Sequence, residues 1–403
     1  MAVSLACALA GAAGMASSAR AVSIVQHPLP GRAPLASPEA ILAGAGGLLV
    51  APTAPGPAFE TLQTSGAMTF AGGPAGPSAI RLARGPSGEP WYSSTVLVRE
   101  ADGSELPYAA IFEVTPAGVA QRARYGSTAD APVDLAGGPD GALWIANVGA
   151  GDSIDSYLPG GQIVKHPTSG PPIALAPGPD GALWFTDAGP CGDYGGPCIG
   201  RISTTGEVSY HPLPWPSGPY GITTGADGAL WFAEWQVSAI GRMTTDGRLQ
   251  QFAIQGPAGR PVGAGGPTPT RLVATADGSI WFVDPGDDAV GRVSAAGQVS
   301  EYPIPPLAAA ERVQPALADA VPDGIAAGPE GLLWVTEANA RSIASVDPNG
   351  RPASATPEQP AGGPGSRAAR RTRRCAGGIR RAGTRSRRRA HRVGCRRARR
   401  ALR

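Results

Sequence analysis

The chain has 403 residues, of which 58 Gly and 43 Pro make up about a quarter, together with eight Trp and 42% hydrophobic residues. This hydrophobic content is too high for an intrinsically disordered protein, and 16% charged residues is too low for long solvated helices or a coiled coil. Residues 367–403 contain 17 of the 34 basic residues and no acidic residue, so the rest of the chain carries a net charge of −14. Because many turn formers separate short apolar segments, the composition favours an all-β protein.

Residues 1–21 have the features of a secretory signal peptide. Residues 3–15 are small and apolar, and Ala19-Arg20-Ala21 matches the small-x-small cleavage pattern. An Ala-rich leader without this role is the alternative. No other segment reaches the 18 consecutive apolar residues that a membrane-spanning helix needs. We therefore expect an exported protein, secreted or associated with the cell envelope, without a transmembrane segment.

A repeat organises the body of the chain. Five tryptophans each follow a Gly by three residues and a Pro by twelve, namely Trp144, Trp184, Trp231, Trp281 and Trp334. Upstream, Gly88 precedes Trp91 in the same frame, and Gly46 precedes Leu49, which replaces the Trp. These positions define seven units spaced by 40 to 53 residues. A repeat of this period indicates a solenoid, a propeller or an array.

Each unit contains four short strands. In the unit of Trp231, apolar segments at 219–223, 229–233, 240–243 and 248–254 alternate with Asp-Gly turns at 227–228 and 246–247. Four strands in each unit predict a seven-bladed β-propeller over residues 22–350. Residues 23–30 resemble the last strands at 208–214 and 299–305, so we expect them to complete the final unit. Residues 351–356 compete for this place.

Cysteine usage agrees with export. Cys191 and Cys198 lie in one segment of turn formers, which predicts a disulfide that closes this loop. A metal site is the weaker alternative, because no second Cys or His pair lies nearby. Cys375 and Cys395 form a candidate second bridge.

The blade signature resembles the virginiamycin B lyase family, also called streptogramin lyases. The likeness rests on residues 178–187 (GPDGALWFTD), 199–202 (IGRI) and 210–214 (YHPLP). It implies a seven-bladed propeller with a Mg²⁺-dependent lyase activity that linearises a cyclic depsipeptide, a streptogramin B antibiotic, by elimination. It also implies a catalytic His at the start of an inner strand, a Glu before the last such Pro, and an acidic metal ligand after the Trp strand.

Residue by residue, this chain departs from that pattern. Thr270 and Asp323 occupy the two His positions, and Val321 occupies the Glu position. Glu337 matches the acidic ligand, and we expect Glu337 and Asp284 as candidate metal ligands. Asp323, or alternatively Asp284, would replace His as the base if burial raised its pKa. Three of the four His lie beside Pro in the outer-strand motif, where we expect surface residues: His27, His166 and His211.

Hairpin geometry gives a second route to a site. The first and second strands of a unit run antiparallel, so the start of the first and the end of the second share one side of the propeller, here called the top face. The strand ends bring Asn147, Asp187, Glu234, Asp284 and Glu337 to this face, and the strand starts bring Asp134, Tyr220, Thr270 and Asp323. We predict a carboxylate ring that holds Mg²⁺ or Ca²⁺, or a ligand contacted by Asp187, Tyr220, Glu234 and Trp235. The alternative is that these acids cap turns in solvent.

We interpret several other repeated features as structural: the Asp-Gly turns, the Trp series and Arg201, Arg242 and Arg292.

Residues 351–403 form a Pro/Gly linker and an Arg-rich tail, which we expect to be disordered. The tail would bind polyanions, in particular anionic cell-envelope polymers, unless it is merely translated GC-rich sequence.

Two functions follow for a monomeric protein. One is a lyase-like enzyme that acts at the top face. The other is a non-catalytic or differently catalytic propeller that binds a small molecule, peptide, glycan or protein there.

Overall fold

Seven four-stranded antiparallel sheets make up the protein in this computed structural model. The structure describes residues 22–28, 38–44, 47–52, 59–62, 68–71, 79–99, 102–115, 118–125, 130–255, 266–305, 321–328, 331–338 and 342–349. All of them belong to a unit of Met1–Pro357, which is distinct from Glu358–Arg403. The predictions for the signal peptide, the Arg-rich tail and Cys375–Cys395 lie outside the described residues.

Each sheet forms one blade, numbered along the chain. Blade 1 contains β2 to β5, at Pro38–Gly44, Gly47–Pro52, Phe59–Leu62 and Met68–Ala71. Blade 2 contains β6 to β9, at Ala79–Arg84, Pro90–Arg99, Glu105–Thr115 and Gly118–Arg124. Blade 3 contains β10 to β13, at Ala131–Gly137, Leu143–Val148, Ser153–Tyr157 and Ile163–Pro167. Blade 4 contains β14 to β17, at Pro172–Pro177, Leu183–Asp187, Cys198–Ile202 and Val208–Pro212, with a 3₁₀ turn at Gly192–Tyr194.

The remaining blades follow the same order. Blade 5 contains β18 to β21, at Pro219–Thr224, Leu230–Glu234, Ala239–Met243 and Leu249–Ala253. Blade 6 contains β22 to β25, at Leu272–Ala274, Ile280–Asp284, Ala289–Val293 and Val299–Pro303. Blade 7 contains β26 to β28, at Pro322–Ala327, Leu333–Glu337 and Ser342–Asp347, and takes its fourth strand, β1, from Ser23–Pro28.

The inner strands close a ring. Each of β2, β6, β10, β14, β18, β22 and β26 contacts the next, and β26 contacts β2. The strand β1 pairs antiparallel with β28, from Ser23 opposite Asp347 to Pro28 opposite Ser342. The predicted propeller and its closure by the amino-terminal segment are therefore confirmed. Closure removes the exposed sheet edges that an open array would leave.

The turn aspartate of the repeat holds the Trp strand and the third strand together in blades 4 and 5. In blade 5, Trp231 Nε1 donates to Asp227 Oδ1 at 3.1 Å, and Arg242 Nε donates to Asp227 Oδ2 at 2.7 Å. Gly228 follows with a φ of 71°, which the turn needs and glycine adopts without strain. Blade 4 repeats the clamp with Trp184, Asp180 and Arg201. This confirms the structural interpretation of the Asp-Gly turns and of these arginines.

The outer-strand histidines are less exposed than predicted. His166 and His211 stack on Trp144 and Trp184, with ring centroids 5.4 and 5.2 Å apart, and His27 packs against Trp334 at 5.1 Å. All three are partly buried. Burial lowers the pKa of each imidazole. They are structural rings that cover the Trp core, so the expectation of plain surface residues is wrong.

Within the part of the chain described, no helix has the length and apolarity to cross a membrane.

Candidate functional site

The strand-end residues of the predicted carboxylate ring do not face solvent. All five side chains are fully buried, with 0% exposure: Asn147, Asp187, Glu234, Asp284 and Glu337. Hairpin geometry places them at the correct end of each blade, but the loops and the outer strands then cover them. The alternative that these acids cap turns in solvent is therefore wrong, and cation binding by the ring stays a prediction.

Each buried acid is bound within its own blade. Glu234 accepts hydrogen bonds from Ser217 Oγ at 2.7 Å and from Gln251 Nε2 at 2.9 Å to both carboxylate oxygens. Burial raises the pKa of Glu234, and these two donors lower it. Glu337 accepts in the same way from Ser342 Oγ and from Gln26 Nε2, the latter at 3.3 Å.

Of the two buried strand-end acids in blades 4 and 5, Asp187 has fewer side-chain donors to its carboxylate than Glu234. Its Oδ1 accepts from the Gly189 N–H at 2.9 Å, whereas its Oδ2 has no hydrogen-bond partner. Burial raises the pKa of Asp187 to about 6, and the negative charge of Asp152 adds to this effect. The adjacent loop contains the disulfide Cys191–Cys198, as predicted, with Cα atoms 6.2 Å apart.

The strand starts, in contrast, line the axis. A cavity of about 130 Å³ lies among the inner strands, and the second residue after the Pro position of the repeat lines it in six blades: Arg81, Asp134, Ala174, Gly221, Arg271 and Gly324. The sequence predicts Asp134 at this position, whereas neither arginine was predicted as part of a site. An alignment of the repeat units could have identified them, because Arg271 occupies a position where blades 5 and 7 have Gly.

Arg271 is the centre of a charged cluster, here called the axial cluster. The guanidinium lies 5.9 Å from the ring centroid of Tyr220, and the charges of Asp134 and Asp323 act on it. Burial and the charge of Arg81 lower the pKa of Arg271, while both aspartates raise it. Burial raises the pKa of Asp134, although its Oδ2 accepts from the Leu175 N–H at 2.8 Å. The structure thus brings Asp323, Tyr220 and Asp134 together around two arginines.

Thr270 lies beside this cluster but binds through its backbone. Its carbonyl accepts from the Gly221 N–H at 2.8 Å, and its buried Oγ1 has no hydrogen-bond partner. A Thr hydroxyl has no proton affinity near neutral pH comparable to that of an imidazole. Thr270 therefore cannot act as the general base that the family pattern places here.

The residues at the expected Mg²⁺ position do not fit that ion. Glu337 is the one matching acid, and its buried carboxylate is already held by Ser342 and Gln26. Val321 supplies no oxygen ligand from its side chain. Mg²⁺ demands octahedral oxygen coordination and usually retains several waters, which a covered single carboxylate does not provide. Mg²⁺ binding by this protein stays a prediction.

Exposed aromatic residues mark the top face of blades 4 and 5. Four large hydrophobic side chains are exposed among the described residues, and three lie in these top-face loops: Tyr194 at 62%, Trp215 at 74% and Trp235 at 43%. The Trp235 N–H donates to the Gly218 carbonyl at 3.2 Å, and a methyl at Gly196 would come within 4.0 Å of the Trp215 ring. We call these three side chains the aromatic patch. Of its members, the sequence analysis named Trp235 alone.

Fold and site together define a seven-bladed propeller with a charged axial cavity and an aromatic top face. The sequence model of the virginiamycin B lyase family matches residues 22–306, and the chain belongs to this family. No curated protein sequence matches it.

Three solved structures show the same fold. Virginiamycin B lyase from Staphylococcus aureus is 24% identical, with a TM-score of 0.63 over 81% of this chain and 99% of that chain. A catalytically inactive form of the S. aureus enzyme with quinupristin is also 24% identical, with a TM-score of 0.62 over 80% and 99%. A streptogramin B lyase structure is 23% identical, with a TM-score of 0.63 over 81% and 97%.

Proposed function

We propose that this protein is an exported propeller that binds a compact ligand with apolar surface, such as a cyclic peptide, at the aromatic patch of blades 4 and 5. The observation that carries the proposal is the exposure of Tyr194, Trp215 and Trp235 on adjoining loops of one face. Soluble proteins rarely expose clustered large apolar side chains without a binding role. Aromatic rings also supply contact area at little conformational-entropy cost, which makes them strong binding anchors.

The loops that carry the patch are held in place. The disulfide Cys191–Cys198 closes the loop of Tyr194, and the Leu213 N–H donates to the Pro197 carbonyl at 3.0 Å, which ties the Trp215 loop to it. Preorganised loops lose less entropy when a ligand binds. The structure of the S. aureus relative with quinupristin supports the choice of this ligand as the probe.

The axial cluster supports binding more than the elimination chemistry of the family. Thr270 and Asp323 stand at the His positions, and Asp323 faces the Arg271 guanidinium. With two arginines and two aspartates, the cluster is balanced in charge and can orient polar groups of a ligand that reaches the axis. The second candidate function is streptogramin B linearisation, which family membership favours.

The deciding experiment uses quinupristin as the probe. Calorimetric titration of the purified full chain should show saturable binding that Trp235→Ala weakens by about tenfold. Leu106→Ala, which removes an exposed apolar side chain from blade 2, is the matched control and should leave the affinity unchanged. An absence of binding heat would reject this ligand class.

Liquid chromatography with fragmentation mass spectrometry of the same mixtures separates the two candidates. Elimination would open the ring without adding water, so a linear product has the mass of quinupristin and differs in its retention time and fragment ions. With Mg²⁺ present, we expect the retention time and fragment ions of the intact ring. A linear product that forms with Mg²⁺ and disappears with a chelator would replace the binding proposal by the lyase function.

A further inference from the structure

In blades 5 and 7, a side-chain amide on the outer strand donates hydrogen bonds to the buried strand-end acid. In blade 5, the amide of Gln251 on β21 donates to both oxygens of Glu234, across Gly241 on the intervening strand. In blade 7, Gln26 on β1 takes the same place against Glu337. Because Gly241 has no side chain, the Gln251 side chain can reach Glu234 in blade 5.

Blade 6 has an acid where its neighbours have this donor. Glu301 on β25 lies opposite Gly291, and Gly291 lies opposite Phe282 two residues before Asp284, which reproduces the register of Gln251 and Glu234. Two carboxyl groups therefore face each other in a position that elsewhere holds a carboxylate and an amide. Within the described residues, neither Asp284 nor Glu301 forms a salt bridge with a basic side chain.

A third acid completes the cluster. Carboxylate oxygens of Asp284, Asp287 and Glu301 all lie within 4.8 Å of one another. Asp284 is fully buried; its Oδ1 accepts from the Thr268 N–H at 2.8 Å and the Gly286 N–H at 3.0 Å, while its Oδ2 has no hydrogen-bond partner. Both oxygens of Glu301 are inaccessible to solvent and accept no hydrogen bond from an N–H or hydroxyl donor, and the Asp284 carboxyl group lies within hydrogen-bonding reach of them. Buried oxygens of this kind are strongly unfavourable unless a positive group satisfies them.

We propose that Asp284, Asp287 and Glu301 form a Ca²⁺ site at the top end of blade 6. All three ligands are oxygens, the donor type that hard divalent cations prefer. Carboxylate oxygens within 4.8 Å of one another are close enough to share one Ca²⁺ at 2.3–2.6 Å. Ca²⁺ also accepts the irregular geometry of ligands that come from two strands and a loop, whereas Mg²⁺ demands a near-ideal octahedron. The site contains none of the residues of the aromatic patch, and the proposal does not depend on the proposed ligand binding.

The test measures Ca²⁺ binding to the full chain after treatment with a chelator. Calorimetry at about neutral pH should show one Ca²⁺ per chain with a Kd on the order of 10⁻⁴ M, and weaker binding of Mg²⁺. At a hundredfold excess over Kd, Ca²⁺ should raise Tm by roughly 5 °C. An absence of Ca²⁺ binding would overturn the proposal and assign the cluster to a shared proton.

Variants copied from the neighbouring blades locate the site. Glu301→Gln installs the donor of blade 5, so it should abolish the Ca²⁺-dependent rise in Tm and give a higher Tm than the wild type in chelator. Asp287→Asn changes only a loop residue and should weaken Ca²⁺ binding at least tenfold without affecting the fold. As the matched control, Gln251→Glu creates an acid pair beside Val237, which offers no third carboxylate, and it should lower Tm without adding a Ca²⁺ site. Unchanged Ca²⁺ binding in both Glu301→Gln and Asp287→Asn would refute the assignment.

Discussion

The buried carboxylate of Asp187 should make the stability of the propeller depend on pH between about 4 and 6. The folded-state pKa of about 6 lies above the ordinary value of 3.8, because burial disfavours the charged form. The folded protein therefore binds this proton more tightly than the unfolded chain does. Its favourable contribution is fully present below pH 4 and is lost as the pH rises through about 6.

The size of the effect follows from that interval. Each pH unit corresponds to about 1.4 kcal/mol, so the interval between 3.8 and about 6 amounts to about 3 kcal/mol. Asp187 has 0% exposure, so solvent does not screen this penalty. An amide at the same position is neutral at every pH and can still accept from the Gly189 N–H through its oxygen.

The assay compares the free energy of unfolding of the wild type and Asp187→Asn in denaturant from about pH 4 to pH 7. We expect the two proteins to be nearly equal at pH 4 and the variant to be more stable by about 3 kcal/mol at pH 7. Asp193→Asn removes the same charge from an exposed position of the same loop and controls for the change in net charge. A variant that is less stable than the wild type at pH 7 would refute the reasoning, because Oδ2 would then have a donor.

Three further perturbations test the scaffold. Asp227→Ala removes the acceptor of an indole N–H, a backbone N–H and a partly exposed guanidinium, and should lower the free energy of unfolding by about 1–3 kcal/mol. Replacing both Cys191 and Cys198 by Ala opens a short loop and should cost about 2 kcal/mol, measured by denaturant unfolding. Gly241→Ala drives a methyl into the aromatic ring of the neighbouring strand and should cost about 1–3 kcal/mol, whereas Gly151→Ala, whose methyl meets open space, should be close to neutral.

Each of these has its own control. Asp246 is a more exposed turn aspartate of the same blade, and Asp246→Ala should have a smaller effect than Asp227→Ala; equal losses would contradict the clamp interpretation. For the disulfide, wild type in reductant should match the double Ala variant. A Gly241→Ala protein as stable as Gly151→Ala would show that blade 5 relaxes to accept the methyl.

The sequence was sufficient to predict the architecture, because each blade of a propeller is one repeat unit and the spacing of the repeat is visible in the sequence. The spacing of Trp, Gly and Pro located all seven blades, and the likeness of residues 23–30 to other outer strands predicted the closure between β1 and β28. The disulfide was equally local, since its two cysteines lie seven residues apart in one loop. Such features need only neighbouring residues and a repeat.

The site depended on contacts between distant segments, which the period does not encode. Alternation placed Asp187 and Glu234 at the correct end of their strands, but only the folded loops and outer strands buried them. Arg81 and Arg271 are 190 residues apart, and closure of the ring brings both to the axis. Glu301 and Asp284 are likewise brought together only by the strand register of blade 6, at the position where blades 5 and 7 have a Gln donor. Burial and hydrogen bonding of such acids depend on the tertiary structure, and the repeat spacing does not reveal them.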